Sequence, residues 1–153
     1  MEAPLGPGAA TPRYAVCESR VTTGCAQPMT TTIRVLIVDD GPTSCELIAA
    51  MLRKSDYQVT GTASNGKSVL AQCIHQPPDI VLLDIELHGD DGLHVLGQLR
   101  RGYPEIPVLI LGNDSSLERA KLAREGGACG FLAKPFSTER LMRAVDRVLH
   151  DAR

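Results

Sequence analysis

Five short apolar segments alternate with five segments of helical periodicity between residues 33 and 150. The apolar segments are rich in β-branched residues, which is typical of strands buried on both faces of a sheet. Because each strand is followed by a helix and short connections, the pattern predicts an α/β fold: a (βα)5 doubly wound, five-stranded parallel sheet. The second segment is the most polar and is expected near a sheet edge. The predicted strands are IRVLIV (33–38), YQVTGTA (57–63), DIVLLD (79–84), IPVLIL (106–111) and ACGFLA (128–133).

The first 32 residues differ from the rest of the chain in composition. They are rich in Pro, Gly, Ala and Thr and show neither helical nor alternating apolar periodicity. Such a segment buries too little apolar surface to offset the entropy of ordering it. Residues 1–32 are therefore predicted to be a disordered N-terminal tail, and residues 33–150 a single domain. An alternative interpretation is that the protein starts at Met29, just ahead of the first strand.

Composition argues against several classes of function. The chain has 16 basic and 18 acidic residues, a formal net charge of −2, and only 3% aromatic residues, so it offers neither a cationic surface for nucleic acid nor a base-stacking platform. No apolar run approaches the ~20 residues that span a bilayer. The five cysteines include no CxxC pair, which favours reduced thiols. We therefore expect a cytoplasmic protein that binds neither nucleic acid nor membrane.

Charged residues follow three of the predicted strands. Asp39 and Asp40 follow the first, Asp84 ends the third and Lys134 follows the fifth. Because the carboxyl ends of parallel strands form the binding crevice of such a sheet, three carboxylates and an ammonium group are expected to converge there. Mg²⁺ would relieve the repulsion among the carboxylates, and Lys134 would neutralise a phosphoryl oxygen. The combination predicts a phosphoryl-transfer site with an Asp as nucleophile.

Four segments of the chain resemble the signature segments of response-regulator receiver domains. They are VLIVDDGPT, IVLLDIELHGDDGLHVLGQLR, IPVLIL and ACGFLAKPF, and the resemblance extends over residues 33–150. It implies a flavodoxin-like three-layer sandwich with strand order 2-1-3-4-5, of the chemotaxis-type single-domain kind. It also implies phosphorylation by a histidine kinase or phosphotransfer protein and contact with a downstream effector protein.

The same resemblance implies roles for individual residues. Asp84 would accept the phosphoryl group, Lys134 would contact it, and the peptide bond between Lys134 and Pro135 would be cis. Glu86 and Asp114 would tune how fast the phosphoryl group is lost. The residues that would hold Mg²⁺ are Asp39, Asp40, Asp84 and, through its backbone carbonyl, Glu86.

Two positions depart from the family pattern. Gly112 stands where the family has Thr or Ser, whose hydroxyl bonds the phosphoryl oxygen and helps to trigger the switch. Gly112 has no donor side chain, so the resemblance implies intact phosphorylation chemistry with a weak or absent rotamer change of Phe131, at the switch aromatic position. His88 stands where the family usually has Pro, and is interpreted either as a solvated loop residue or as a pH-sensitive neighbour of the site.

These observations predict a stand-alone receiver that accepts a phosphoryl group on Asp84 and signals by protein–protein contact. Since the chain ends three residues after His150, no output domain is expected. Such a protein catalyses only its own phosphorylation and dephosphorylation, so it is not an enzyme acting on an outside substrate. The alternatives are a pseudo-receiver that does not switch by phosphorylation, which Gly112 favours, and the receiver fragment of a longer regulator. A small-molecule phosphotransferase or hydrolase is disfavoured, because no second Asp stands two residues after Asp84.

Overall fold

A computed structural model describes residues 32–87, 91–113 and 117–152 of the chain. The predicted tail, apart from residue 32, lies outside the described residues, as do His88 and Asp114. Within the described ranges, strands and helices alternate, and none of these helices is long and apolar enough to cross a membrane. The elements are β1 (Ile33–Val38), α1 (Pro42–Leu52), β2 (Tyr57–Ala63), α2 (Gly66–His75), β3 (Ile80–Asp84), α3 (Gly92–Gly102), β4 (Val108–Asn113), α4 (Leu117–Glu125), β5 (Gly130–Lys134) and α5 (Thr138–Asp151).

The five strands form one sheet in the order β2-β1-β3-β4-β5, and every neighbouring pair is parallel. This order confirms the predicted α/β flavodoxin-like fold. The three inner strands carry the most deeply buried residues, whereas β2, the most polar strand, lies at an edge as expected. Because β1 and β3 are neighbours, the residues at their carboxyl ends meet at the same edge of the sheet.

Helices cover both faces of the sheet and so complete a three-layer sandwich. Ile48 of α1 and Val145 of α5 belong to the apolar cluster on one face. Val69 of α2 and Val95 of α3 belong to the cluster on the other. Side chains of successive strand residues point alternately into the two clusters, which is why the inner strands are apolar at every position.

Side-chain caps fix where three of the helices begin. Each capping side chain accepts a backbone N–H from the first turn of its helix, which satisfies a donor that the helix itself leaves free. Two of these caps lie in the loops that leave β3 and β5, so they also hold the chain next to the predicted site. The capping residues are Asn65 for α2, Asp91 for α3 and Ser137 for α5.

The fourth strand begins and ends two residues later than predicted. Ile106 closes a turn by donating its N–H to the carbonyl of Tyr103 over 3.1 Å. Pro107 has no N–H to contribute to a ladder, so the strand starts at Val108. As a result Gly112, which was expected just beyond the strand, lies inside it.

The fifth strand also begins two residues later than predicted, at Gly130 instead of Ala128. Gly127 has a φ of 109°, a conformation that suits glycine, and it forms a turn after α4. The two residues that follow this turn lie outside the strand. The apolar pattern alone did not show where this turn ends.

A hydrogen bond joins the last helix, α5, to the start of β2, at the edge of the sheet opposite the predicted site. Tyr57 at the start of β2 pairs with Ile33 at the start of β1. The Tyr57 hydroxyl donates a hydrogen bond to the Asp146 carboxylate on α5. Burial, reinforced by this carboxylate, raises the pKa of Tyr57. The second half of α5 is therefore linked to the beginning of β2.

Burial of Cys73 predicts a loss of stability in alkali. The side chain is 1% exposed, and burial, with a smaller contribution from Glu105, raises the pKa of the thiol from 9.0 to about 11. Between these values the unfolded chain loses a proton that the folded chain keeps, so the free energy of unfolding should fall with rising pH, by up to about 1.4 kcal/mol per pH unit. Denaturant titrations of wild type and Cys73→Ala test this, and the variant should show a shallower fall.

Cys129 provides the matched control because its thiol is exposed. Cys129→Ala should leave the pH dependence of the wild type unchanged. Parallel curves for wild type and Cys73→Ala would contradict the assignment of the alkaline loss to Cys73.

Candidate functional site

Two carboxylates are buried at the carboxyl edge of the sheet. Asp39 directly follows β1, and Asp84 is the last residue of β3. Their exposed fractions are 6% and 7%, and they are the buried charged side chains among the described residues. Each ends a run of fully buried apolar residues, so the strands themselves carry the two acids into the protein. Burying charged groups is costly, so these two carboxylates require a paired positive charge, hydrogen bonds or a bound cation.

Lys134 supplies a positive charge between the two acids. Its Nζ donates a hydrogen bond to Oδ2 of Asp84 over 3.2 Å, and it lies 3.6 Å from Oδ2 of Asp39. Lys134 is the last residue of β5, and the peptide bond that follows it, to Pro135, is cis. One ammonium group therefore offsets part of the charge of both carboxylates.

The Asp84 carboxylate is held at both oxygens. Oδ1 accepts the backbone N–H of Glu86 over 2.9 Å, and Oδ2 accepts from Lys134. Burial raises the pKa of Asp84 above its usual value, and the Asp39 charge acts in the same direction. The Glu86 N–H and the Lys134 ammonium lower the pKa but offset only part of this effect. The result is a fixed carboxylate that is more basic than an exposed one, which favours a nucleophilic role.

Asp39 has one oxygen that a cation could satisfy. Its Oδ1 accepts the backbone N–H of Gly41 over 2.9 Å. Its Oδ2 is buried without a hydrogen-bond partner, because Lys134 is too far away for a hydrogen bond. A buried oxygen of this kind beside a second carboxylate matches the hard oxygen donors that Mg²⁺ prefers. The donors at this edge therefore fit the predicted metal.

Among the described residues, no group of three His, Cys, Asp or Glu side chains is close enough to hold a metal. The Lys134 ammonium lies between Asp39 and Asp84 and screens two acids that would otherwise repel one another. The convergence of Asp39, Asp40 and Asp84 on one metal ion stays a prediction. Asp40 is half-buried and lines the groove between α1 and the end of β2, together with Asp39 and Ser64. Glu86 is exposed at the rim of the site.

Gly112 and Phe131 lie side by side next to the site. Gly112 is in β4 opposite Ala133, and the next residue of β4 pairs with Lys134. A Cβ atom at Gly112 would be 3.0 Å from Cγ2 of Ile85 and 3.2 Å from Cε1 of Phe131. The Phe131 ring is partly buried against the apolar cluster that contains Ile85. The space beside Gly112 is therefore narrow, and the ring borders it.

Three further polar contacts at the site were missed by sequence reasoning. The Asn113 side chain donates to Glu86 over 3.4 Å, Cys45 donates to the Asp39 carbonyl over 3.3 Å, and Arg119 donates to the loop after β3. Asn113 could have been found, because it ends an apolar strand as Asp84 does. Cys45 and Arg119 lie on helices, where the sequence pattern gives no such signal.

The comparisons with known proteins agree with this geometry. The sequence matches the response regulator receiver domain family over residues 35–146. The chain belongs to this family. Curated regulatory proteins and solved structures of other receivers are similar to it in sequence.

Two curated relatives are longer than this chain. It is 36% identical over 121 residues to the nitrogen assimilation regulatory protein NtrX of Azorhizobium caulinodans, a match that covers 78% of this chain and 26% of the relative. It is 37% identical over 116 residues to the probable transcriptional regulatory protein TcrX of Mycobacterium tuberculosis, covering 76% and 47%. The receiver therefore corresponds to between a quarter and a half of these proteins.

A solved structure matches at the level of the domain. The crystal structure of the receiver domain of NtrX from Brucella abortus is 34% identical to this receiver, with a TM-score of 0.72. The match covers 76% of this chain and 98% of that one.

Because burial and Asp39 make the ionised form of Asp84 costly, Asp84→Asn should stabilise the receiver in the absence of divalent cation. At pH 7 we expect the free energy of unfolding of the variant to exceed that of the wild type by more than about 0.5 kcal/mol, the change that an ordinary surface substitution makes. Adding Mg²⁺ should reduce the difference in free energy of unfolding between the variant and the wild type, since the cation would stabilise the wild type more. Urea denaturation with and without Mg²⁺ measures both effects.

Asp56→Asn is the matched control, because it removes a carboxylate from an exposed position. It should change stability by less than about 0.5 kcal/mol and should not alter the response to Mg²⁺. Lower stability of Asp84→Asn than of wild type would contradict the electrostatic account.

Proposed function

We propose that this receiver domain accepts a phosphoryl group on Asp84 in a Mg²⁺-dependent reaction, as part of a two-component phosphorelay. The observation that supports this most strongly is the arrangement at Asp84: a buried carboxylate with a lysine ammonium at 3.2 Å, near a carboxylate oxygen of Asp39 that has no hydrogen-bond partner. A stored phosphoryl group needs a nucleophile, a fixed positive charge and a metal ligand, and this arrangement offers all three.

In the proposed reaction a carboxylate oxygen of Asp84 forms a bond to the phosphorus of the donor. The bond from phosphorus to the leaving atom of the donor breaks, and its electron pair departs with the leaving group, so that an acyl phosphate remains on Asp84. Lys134 would pair with a phosphoryl oxygen of the product. The proposed metal ligands are Asp39, Asp40, Asp84 and the backbone carbonyl of Glu86, and Mg²⁺ bound there would neutralise the charge of the phosphoryl oxygens.

The proposed donors are a histidine kinase or a phosphotransfer protein, and the proposed output is contact with a downstream effector protein in the cytoplasm. The receiver would catalyse only its own phosphorylation and dephosphorylation. The named relatives are transcriptional regulators or larger proteins that contain a receiver. They support a variant of the proposal in which this receiver acts within a longer regulator, whose other parts would contact nucleic acid.

A second candidate function is a pseudo-receiver that binds partners without switching. The observation that favours it is Gly112, which offers no hydroxyl to a phosphoryl oxygen and has the Phe131 ring close to the position that a side chain would occupy. The buried pair of acids with Lys134 argues for the first candidate, because a domain without phosphate chemistry gains nothing from burying two like charges.

Phosphorylation by acetyl phosphate tests the proposal directly. Wild type should gain one phosphoryl group by intact mass when Mg²⁺ is present and little when it is chelated. Asp84→Ala should gain none, because it lacks the accepting oxygen, while Asp56→Ala should behave as wild type. A folded wild type that forms no adduct under these conditions would favour the pseudo-receiver.

Gly112→Thr tests the coupling to Phe131. The added side chain would crowd Ile85 and Phe131, so the ring must move, and its hydroxyl would give the phosphoryl group a new partner. We expect the chemical shift changes at Phe131 on phosphorylation to be larger in this variant than in wild type. Gly112→Val has the same shape without the hydroxyl and should not show the increase. Equal responses of the Thr and Val variants would mean that bulk alone, and not the hydroxyl, affects the ring.

A further inference from the structure

Arg119 connects helix α4 to the loop that follows the acceptor strand. Its Nη2 donates to the backbone carbonyl of Ile85 over 3.0 Å and to Oδ1 of Asp91 over 2.6 Å. Ile85 directly follows Asp84, and Asp91 caps the start of α3 by accepting the N–H of Leu93 over 3.0 Å. A single guanidinium nitrogen thus binds the chain at both ends of the connection between β3 and α3.

The peptide unit between Ile85 and Glu86 is hydrogen-bonded on both sides. Its carbonyl accepts from Arg119, and its N–H donates to Oδ1 of Asp84 over 2.9 Å. A trans peptide is planar, and its carbonyl and N–H point in opposite directions. A group that fixes the direction of the carbonyl therefore also fixes the direction of the N–H, and with it the carboxylate oxygen of Asp84.

The charge of Arg119 strengthens this arrangement. A hydrogen bond from a guanidinium group polarises the carbonyl that accepts it, and polarised peptide units are better donors at their N–H. The ion pair with Asp91 keeps the guanidinium in place. Gly112 of β4 lies against the Ile85 side chain and has no side chain of its own with which to anchor this peptide.

We propose that Arg119 is a positioning residue for the phosphoacceptor: it orients the Ile85–Glu86 peptide so that its N–H holds the Asp84 carboxylate for reaction. This inference rests on the proposed function of Asp84. Arg119 does not touch the acceptor itself, and its effect passes through one peptide unit. The same side chain connects α4 directly to the loop that follows β3.

Arg119→Met tests the inference because Met keeps most of the apolar stem and removes every donor. We expect acetyl phosphate, in the presence of Mg²⁺, to phosphorylate this variant about 10-fold more slowly than wild type, the lower end of what loss of an orienting partner costs. Independently, the amide resonance of Glu86 in the unphosphorylated protein should move upfield, since its hydrogen bond to Asp84 weakens. Arg119→Lys keeps a charged donor, so its phosphorylation rate and its Glu86 amide shift should both lie between those of Arg119→Met and wild type.

Arg124→Met is the matched control, because Arg124 is an exposed cation on the same helix. It should leave the rate and the Glu86 amide unchanged. A wild type that forms no adduct overturns the proposed function, and this inference with it. A wild type that is phosphorylated at the same rate as Arg119→Met overturns only the role of Arg119. A moved Glu86 amide at an unchanged rate does the same, since Arg119 would then be a structural contact without effect on the reaction.

Discussion

Burial of two like charges at the ends of neighbouring apolar strands is the constraint on which the rest of this receiver depends. Asp39 and Asp84 are carried inward by β1 and β3, whose other residues form the core. Such a pair is stable only with compensation, and the ammonium of Lys134 on β5 provides part of it. Further compensation comes from backbone N–H groups in the loops that leave the strands, at Gly41 and Glu86. The strand order is thus what brings together acids and a base that are far apart in sequence.

The parts of the fold that follow from periodicity could be predicted from the sequence, and the parts that depend on particular turns or tertiary contacts could not. Apolar runs and helical spacing were sufficient for the number and the parallel direction of the strands, whereas the strand order came from the resemblance to receiver domains. The rule that the carboxyl ends of parallel strands form one crevice was sufficient to predict that Asp84 and Lys134 lie close together. It could not tell which of Asp39 and Asp40 would be the buried one, since both follow the same strand. The sequence pattern also could not identify Arg119, because its contact with the loop after β3 forms only when α4 packs against the domain.

Ile85 and Glu86, directly after β3, contact Gly112, Arg119 and Asp84. The side chain of Ile85 borders the space beside Gly112, and its carbonyl accepts from Arg119. The following N–H, of Glu86, binds the Asp84 carboxylate. A displacement of this segment would therefore reach β4 through packing and α4 through a charged hydrogen bond. In a chain that lacks a hydroxyl at position 112, the second of these routes is the more direct link between Asp84 and a helix surface.

The contact between Tyr57 and Asp146 has a consequence for how the domain can be connected to other chains. It joins the latter half of α5 to the start of β2, at the edge of the sheet opposite Asp84. The start of β1 lies at this edge too, since Ile33 pairs with Tyr57. Both ends of residues 33–151 are therefore on the side of the domain remote from the crevice where chemistry is proposed. Joining these two ends with a linker and opening the chain elsewhere, as in a circular permutation, would leave the core and the acid pair intact.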